Sequence, residues 1–402
     1  MIDKWRHPVV TVSLITAFCL LGDSMLYIVL PIYWREAGLQ SLIEVGILLS
    51  VNRFVRLPMN PLVGWLYQRL SLRKGLLIAI ALSVTATVGY GLANSFWFWL
   101  FLRCLWGIAW SLLKLGGYFT VILCADNSNR GRWMGTYNGL YRLGSLFGML
   151  LGGFLASTWG ISGVSFLFGF TPLLAIPFLF SSLKDAHVGS QTKKEMHWDL
   201  ETKGWLFSRH VIRAILSGLL IAMLFQGILT STLSYVIEYH QFELALLGIA
   251  IVGSALSGLL QALRWTWEPF LATNIGKWSD GEKGRKPYFV IFLFIGAISY
   301  SLIPFSFNLL IWLPVVIILL ISATALTTLI DSIASDAAKE GNTVVFMTLY
   351  SMMIDMGAAL GPLLGYAIIH LQNGLWIAYE GAAMILVGLG ILWTIQTRES
   401  GN

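Results

Sequence analysis

Two arginines lie three residues apart in an otherwise apolar stretch of this sequence, SVNRFVRLPMNPLVGW, which runs from Ser50 to Trp65. Arg53, Arg56 and Asn60 follow the i, i+3, i+7 spacing that places side chains on one face of a helix. Guanidinium groups bind carboxylates and phosphates through paired N–H donors. This face therefore has the chemistry of an anion-binding site.

A second polar face occurs about 80 residues later. Asn138, Arg142 and Ser145 have i, i+4, i+7 spacing and share one side of a helix. Together with the first face they form part of a larger set of charges inside apolar runs. The basic members are Arg53, Arg56, Arg103, Lys114, Arg142 and Arg264, and the acidic members are Asp23, Glu268, Asp331, Asp355 and Glu380.

These charges are distributed unevenly, because all the basic residues but Arg264 lie in the first half and all the acids but Asp23 lie in the second. An excess of positive charge is what a site for an anion needs. The alternative is that the charges neutralise each other, since ions inside a membrane normally pair. For Arg264 and Glu268, four residues apart, a local i,i+4 pair is favoured.

The elements that must position these charges are transmembrane helices. The chain has 402 residues, of which 57% are hydrophobic and 11% charged, with a mean hydropathy of +0.75; a soluble chain has about 25% charged residues. A membrane-spanning helix needs about 20 apolar residues. Twelve such runs are predicted, near residues 9–33, 41–67, 74–94, 96–122, 132–158, 162–182, 209–236, 243–275, 287–307, 309–332, 343–370 and 374–396.

The polar stretches between the runs predict the orientation. Most of the 26 Lys and Arg residues fall in segments on one side of the membrane, and Arg35 is the one loop residue of this type on the other. The positive-inside rule then places both termini in the cytoplasm. We expect a multi-pass protein of a bacterial-type inner membrane, without nucleic-acid partners.

The chain also contains an internal repeat. Residues 1–183 and 209–402 are predicted to form two six-helix bundles, joined by a polar linker at 184–208. RFVRLPMNPLVG, from Arg53 to Gly64, aligns with RWTWEPFLATNIG, from Arg264 to Gly276. GSLFGMLLG likewise aligns with GAALGPLLG, so two G-xxx-G-xxx-G patterns occupy equivalent places. In membrane transporters, parallel repeats of this kind place the substrate between the halves near the bilayer midplane.

Several motifs resemble those of the major facilitator superfamily. GWLYQRLSLRK, residues 64–74, is similar to its G-x-L-A-D-R-x-G-R-[RK] signature, with Gln68 at the place of the acid; GKWSDGEKGRK, residues 276–286, is a second copy. RCLWG, residues 103–107, resembles R-x-x-Q-G, and GMLLGG, residues 148–153, resembles the G-P-x-x-G-G motif of proton-driven exporters. The residues carried over as gating signatures are Gly64, Arg69, Arg73, Gly276, Asp280 and Arg285.

The resemblance implies an all-α fold of two pseudo-symmetric bundles in which the second and fifth helices line a central cavity. It turns the two polar faces into walls of one site, whose candidate substrate-binding residues are Arg53, Arg56, Asn60, Asn138, Arg142, Tyr27, Tyr141 and Arg264. Candidate proton-coupling residues are Asp23, Glu268, Asp355 and Arg103. We further predict that Arg53 or Arg56 pairs with Asp355, and Arg142 with Glu268, in some state of the cycle.

Asp23 has two equally supported interpretations. A carboxyl group near the midplane can bind and release a proton during transport, or it can serve as the counter-ion of an arginine. The function favoured is proton-coupled export of a small anionic or zwitterionic molecule, such as a polycarboxylate siderophore. A multidrug antiporter and an uptake symporter for organic phosphates or carboxylates are the alternatives. We expect a monomer that uses the proton gradient and no cofactor.

An enzyme is not favoured, because the sequence has no H-E-x-x-H motif, no Cys/His cluster and no G-x-x-x-x-G-K-[ST] loop.

Overall fold

The computed structural model describes residues 8–124, 130–183, 208–242, 244–246, 249–251, 253–279, 284–338 and 343–399. The first helices are α1 (Pro8–Val29), α2 (Leu42–Arg69), α3 (Leu72–Tyr90) and α4 (Phe96–Cys124). The next helical stretch, Arg130–Phe170, breaks at Gly160, where φ is 64°. This left-handed conformation favours glycine. It separates α5 (130–159) from α6 (161–182), and α6 includes a 3₁₀ turn at Thr171–Ala175.

The second group of helices begins at Arg209. It comprises α7 (Arg209–Tyr239), α8 (Gly253–Ser279), α9 (Arg285–Leu302), α10 (Leu309–Ala338), α11 (Thr343–Ile369) and α12 (Gly374–Glu399). The described ranges thus contain twelve long helices, which confirms the prediction made from the apolar runs.

Most of these helices are apolar enough to cross a membrane. By length and composition alone, eight helical stretches of the described residues qualify, with α5 and α6 counted as one stretch. The helices outside that set are α2, α8 and α9. Two of them, α2 and α8, carry Arg53, Arg56 and Arg264, which lower their hydropathy. The exceptions therefore include two helices that hold the candidate site.

The run predicted at residues 243–275 is only partly helical. Leu244–Leu246 and Ile249–Ile251 pair as antiparallel strands, with Leu244 opposite Ile251, and α8 begins at Gly253. Short apolar runs fit a strand or a helix equally well, so hydropathy alone could not separate these strands from the helix.

The chain divides into two compact units. Unit 1 comprises residues 1–194 together with 233–265, and unit 2 comprises residues 195–232 together with 266–402. The division passes through α7 and α8, each of which contributes residues to both units.

In unit 1, the glycines of the first G-xxx-G-xxx-G pattern pack α5 against α1. A methyl group added at Gly144 would lie 2.1 Å from the Ala17 carbonyl oxygen, and one at Gly148 would lie 2.6 Å from the Leu21 carbonyl oxygen. No side chain fits at these distances, so glycine is required for the two backbones to approach.

In unit 2, the second pattern packs α11 against α7 in the same way. A methyl group at Gly357 would lie 2.2 Å from the Leu219 carbonyl oxygen, and one at Gly361 would lie 2.3 Å from the Gly227 Cα atom. Here α7 widens into a π-helical segment, Ala222–Leu229. The aligned glycines of the repeat therefore have equivalent packing roles within their own units.

Candidate functional site

The interior of unit 1 contains a buried ion pair between Asp23 of α1 and Arg103 of α4. Arg103 is fully buried and Asp23 nearly so. Arg103 Nε donates a hydrogen bond to the Leu48 carbonyl of α2 at 2.8 Å, and Asn52 Nδ2 donates to Asp23 Oδ1 at 3.4 Å. Three helices are therefore joined through one carboxylate and one guanidinium.

This geometry pairs the two opposite charges in a place where solvation is poor. A buried ion costs several kcal/mol unless a partner and further hydrogen bonds compensate it. Asp23 has the Arg103 guanidinium and the Asn52 amide as donors. The counter-ion interpretation of Asp23 is thus what the structure contains, and protonation of this carboxylate would break the pair.

A second polar contact lies beside the ion pair. Arg53 Nε donates to the Tyr27 hydroxyl at 3.4 Å, and Ser234 Oγ of α7 donates to the Tyr27 carbonyl at 3.2 Å. Arg53 is half-buried and Tyr27 is buried. Two predicted substrate-binding residues, Tyr27 and Arg53, are therefore in direct contact.

Three further arginines of the described part of unit 1 lie over indole rings. Arg56 Cζ lies 5.1 Å from the ring centroid of Trp110, and Trp110 packs edge-on against Tyr141 at 5.7 Å. Arg142 and Arg264 lie 5.6 and 5.8 Å from the ring centroid of Trp265. We call the following six residues the arginine–tryptophan cluster: Arg56, Trp110, Tyr141, Arg142, Arg264 and Trp265.

The arginine–tryptophan cluster lies near the middle of its helices. Its members come from α2, α4, α5 and α8, and each is about ten or more residues from either end of its helix. At 1.5 Å per residue, that is roughly 15 Å or more along the axis. Charges at such a depth are costly and normally functional. Arg56 and Arg264 are buried, whereas Arg142 is exposed.

The other predicted substrate residues lie on the same helices. Asn60 of α2 and Asn138 of α5 are both half-buried. Trp110 and Asn52 were not predicted from the sequence, although a signal for Trp110 existed. It stands seven residues after Arg103, and i, i+7 spacing places the two on one face of α4.

The three arginines among the gating-signature residues contact different neighbours. Arg69 stacks on Trp65 with Cζ 4.1 Å from the ring centroid, and Arg73 Nε donates to the Leu183 carbonyl at 2.9 Å. In unit 2, Arg285 Nη1 donates to the Ser332 carbonyl at 2.7 Å and forms an ion pair with Asp336.

The other three gating-signature residues are Gly64, Gly276 and Asp280. A methyl group at Gly64 or Gly276 would meet no atom within 4 Å, so close packing does not explain either glycine. Asp280 lies outside the described residues.

The acids of the second half belong to unit 2. Asp331 accepts a hydrogen bond from the Tyr350 hydroxyl at 2.7 Å, and Glu380 accepts one from Ser301 at 2.8 Å. Glu268 and Asp355, predicted to couple protons, are both half-buried. Among the described residues, no group of three His, Cys, Asp or Glu side chains is placed to hold a metal ion.

Similar sequences include a multidrug resistance protein. MdtG of Escherichia fergusonii is 26% identical over 357 residues, which cover 84% of this chain and 82% of MdtG. An uncharacterized MFS-type transporter of Methanocaldococcus jannaschii is 24% identical over 397 residues, covering 97% of this chain and 98% of that protein.

Similar solved structures share the fold. A bacterial homologue of the human lysosomal transporter Spinster, in an inward-facing and occupied conformation, matches with a TM-score of 0.78 and 15% identity over 97% of this chain and 96% of that one. The nucleoside transporter NupG matches with a TM-score of 0.76 and 12% identity over 96% of this chain and 98% of that one. Residues 12–271 match the sequence profile of the Major Facilitator Superfamily, and the chain belongs to this family of membrane transporters.

Proposed function

We propose that this transporter uses a proton gradient to export a small anionic or zwitterionic molecule, of which a polycarboxylate chelator of the siderophore type is one candidate. The observation that supports the proposal is the excess of basic side chains in the helix interiors of unit 1. In the interior of its described helices, six basic side chains accompany one acid, Asp23, and Arg103 already contacts that acid. An anionic substrate would balance this excess of positive charge.

The ion pair supplies a coupling mechanism. A proton that binds Asp23 removes its negative charge and releases Arg103 from its counter-ion. The hydrogen bond from Asn52 weakens as well, so the contacts that join α1, α2 and α4 loosen. Proton binding and substrate binding thus act on one set of helix contacts, and the transporter exchanges one for the other, which links the two fluxes through a shared equilibrium.

The proposed orientation follows from the loops. With both termini in the cytoplasm, most Lys and Arg residues outside the helices face the inside of an inner membrane, as the positive-inside rule requires. The direction of transport is part of the proposal, because arginines serve uptake and export equally well.

A second candidate function is export of lipophilic drugs. The observation that favours it is the similarity to MdtG, which is named a multidrug resistance protein. The aromatic side chains of unit 1 also suit lipophilic compounds: Tyr137 and Tyr141 lie 5.1 Å apart, and Tyr141 contacts Trp110. The basic side chains around these rings favour the first candidate.

The two candidates are distinguished by proton flux in proteoliposomes that contain a pH-sensitive dye. Under an imposed pH gradient, we expect citrate, as a polycarboxylate probe, to cause proton movement with the wild-type protein and not with Asp23→Asn. Empty liposomes are the control. Proton movement with tetraphenylphosphonium and none with any anion would support drug export and overturn the anion proposal.

A further inference from the structure

We infer that the substrate carries an aromatic ring beside its acidic group, and that Trp110 and Trp265 select for this ring. The inference rests on the proposed anion site and names the substrate class of that site. It follows from how the arginine–tryptophan cluster presents its cations.

Each guanidinium group of the cluster lies over an indole ring, at 5.1 to 5.8 Å from the ring centroid. An arginine in this position is covered on one face by the aromatic ring, and its N–H donors remain in the guanidinium plane. A carboxylate can bind these donors edge-on. The body of the ligand then extends along the aromatic rings that carry the arginines.

Trp265 adds a donor of its own. Its Nε1 atom is buried and has no hydrogen-bond partner among the described residues. The guanidinium groups of Arg142 and Arg264 both lie near the same indole ring. Buried donors normally have a partner. An oxygen atom of a bound anion would accept a hydrogen bond from this N–H and would be attracted by the positive charge of the adjacent guanidinium groups.

The aromatic surface continues beyond the two tryptophans. Trp110 contacts Tyr141 edge-on. The ring centroids of Tyr141 and Tyr137 are 5.1 Å apart, and those of Tyr137 and Tyr118 are 5.8 Å apart. An aliphatic polycarboxylate can pair with the guanidinium groups, but it has no aromatic ring to pack against these aromatic side chains. An aromatic acid satisfies both, because aromatic rings prefer stacked or edge-on neighbours at these separations.

The test compares an aromatic acid with its saturated analogue of the same carbon skeleton. Binding of 2-naphthoate and of its saturated analogue, decahydro-2-naphthoate, is measured by isothermal titration calorimetry with the purified full-length protein in detergent. We expect 2-naphthoate to bind roughly twofold to tenfold more tightly, the range that aromatic contacts give. The preference should disappear in Trp110→Leu and Trp265→Leu and persist in Trp110→Phe and Trp265→Phe.

Trp97→Leu is the matched control, because Trp97 lies on α4 with Trp110 but is exposed and outside the cluster. It should keep the wild-type preference. Thermal unfolding of each variant establishes that it is folded, and the phenylalanine variants provide the test if a leucine variant is not.

The binding measurements distinguish failure of this inference from failure of the proposed function. Equal affinity for both acids, with both lost in Arg56→Gln, would overturn the aromatic selection and leave the anion site intact. Binding of tetraphenylphosphonium with no binding of either acid would overturn the proposed function and this inference together.

Discussion

Asp23 and Arg103 form a buried ion pair that joins α1 to α4, and the Leu48 carbonyl of α2 accepts a hydrogen bond from the same guanidinium. The pair lies among helices that pack closely through their backbones. A methyl group at Gly107, one turn after Arg103, would lie 2.7 Å from the Asn52 carbonyl oxygen. The charges are therefore held by rigid neighbours, and loss of one charge leaves the other with little means to relax.

Asp23→Ala should lower the free energy of unfolding by about 3–5 kcal/mol, because it leaves a buried guanidinium without its counter-ion. Unfolding of the purified protein in detergent, followed by fluorescence, measures the effect. Asp23→Ala with Arg103→Leu should recover part of the loss. Additive losses in the double variant would contradict a coupled pair. Ser24→Ala, which removes one side-chain hydrogen bond to Ser145, is the control and should cost about 1 kcal/mol.

Asp23→Asn tests the coupling role apart from stability. The amide keeps the shape of the side chain but binds no proton in the physiological range. We expect proton-driven transport to be lost while counterflow exchange of substrate continues, since exchange needs no net proton movement. Transport that still follows an imposed pH gradient in this variant would exclude Asp23 as the coupling group.

Arg56→Glu should abolish anion transport and leave expression intact, because it reverses a charge within the arginine–tryptophan cluster. Uptake of labelled substrate into proteoliposomes measures the change. Arg35→Glu is the matched control: Arg35 also stacks on an indole, with Cζ 5.0 Å from the ring centroid of Trp34, but it is exposed and lies outside the helices. A folded Arg56→Glu protein with full activity would show that Arg56 does not bind the substrate.

Much of the fold was predictable because long apolar runs locate most membrane helices. The break at Gly160 falls in the gap between two predicted runs, and the aligned glycine patterns have equivalent packing roles. The π-helical segment Ala222–Leu229 was not predictable, since a change of helical register leaves composition unchanged. The paired strands Leu244–Leu246 and Ile249–Ile251 were not predicted, because short apolar runs fit a strand or a helix equally well.

The candidate site was predictable in its residue types but not in its contacts. Unusual charges in apolar helices indicated Arg53, Arg56 and Asp23, whereas the partner of Asp23 required three-dimensional geometry. The stacking of Arg56 on Trp110 also joins residues far apart in the sequence. Pairing of Arg56 with Asp355 stays a prediction.

Gly153→Ala should destabilise unit 1, because the new methyl group would lie 2.4 Å from the Ser254 carbonyl oxygen of α8. Backbone atoms cannot yield as a side chain does, so α5 and α8 must separate at a cost of about 1–3 kcal/mol. Gly258→Ala, whose methyl group would lie 2.5 Å from the Met149 carbonyl oxygen, should act in the same direction. Thermal unfolding measures both variants.

The control is Gly135→Ala, on the same helix as Gly153 but with no atom within 4 Å of the added methyl group. It should be as stable as the wild type or more so, because alanine favours the helix by up to about 1 kcal/mol over glycine. Equal stability of the Gly153 and Gly135 variants would disprove close packing between α5 and α8.

Gly361→Ala extends this argument to unit 2 and to the repeat. The added methyl group would lie 2.3 Å from the Gly227 Cα atom in the π-helical segment of α7, and 2.5 Å from the Met223 carbonyl oxygen. The position of an alanine methyl group is fixed by the backbone and cannot avoid these two atoms, so we expect a loss of about 1–3 kcal/mol. Gly148→Ala, the aligned change in unit 1, should have a similar effect because its methyl group would lie 2.6 Å from the Leu21 carbonyl oxygen.

Gly388→Ala in α12 completes the set, since its methyl group meets no atom within 4 Å and should leave stability unchanged or slightly raised. The three variants are compared by thermal unfolding in the same detergent. If Gly361→Ala were as stable as Gly388→Ala, α11 would not need its glycines to approach α7. If Gly361→Ala alone were destabilised and Gly148→Ala were not, the two glycine patterns would share a sequence without sharing an energetic role, and the equivalence inferred from the repeat would be wrong.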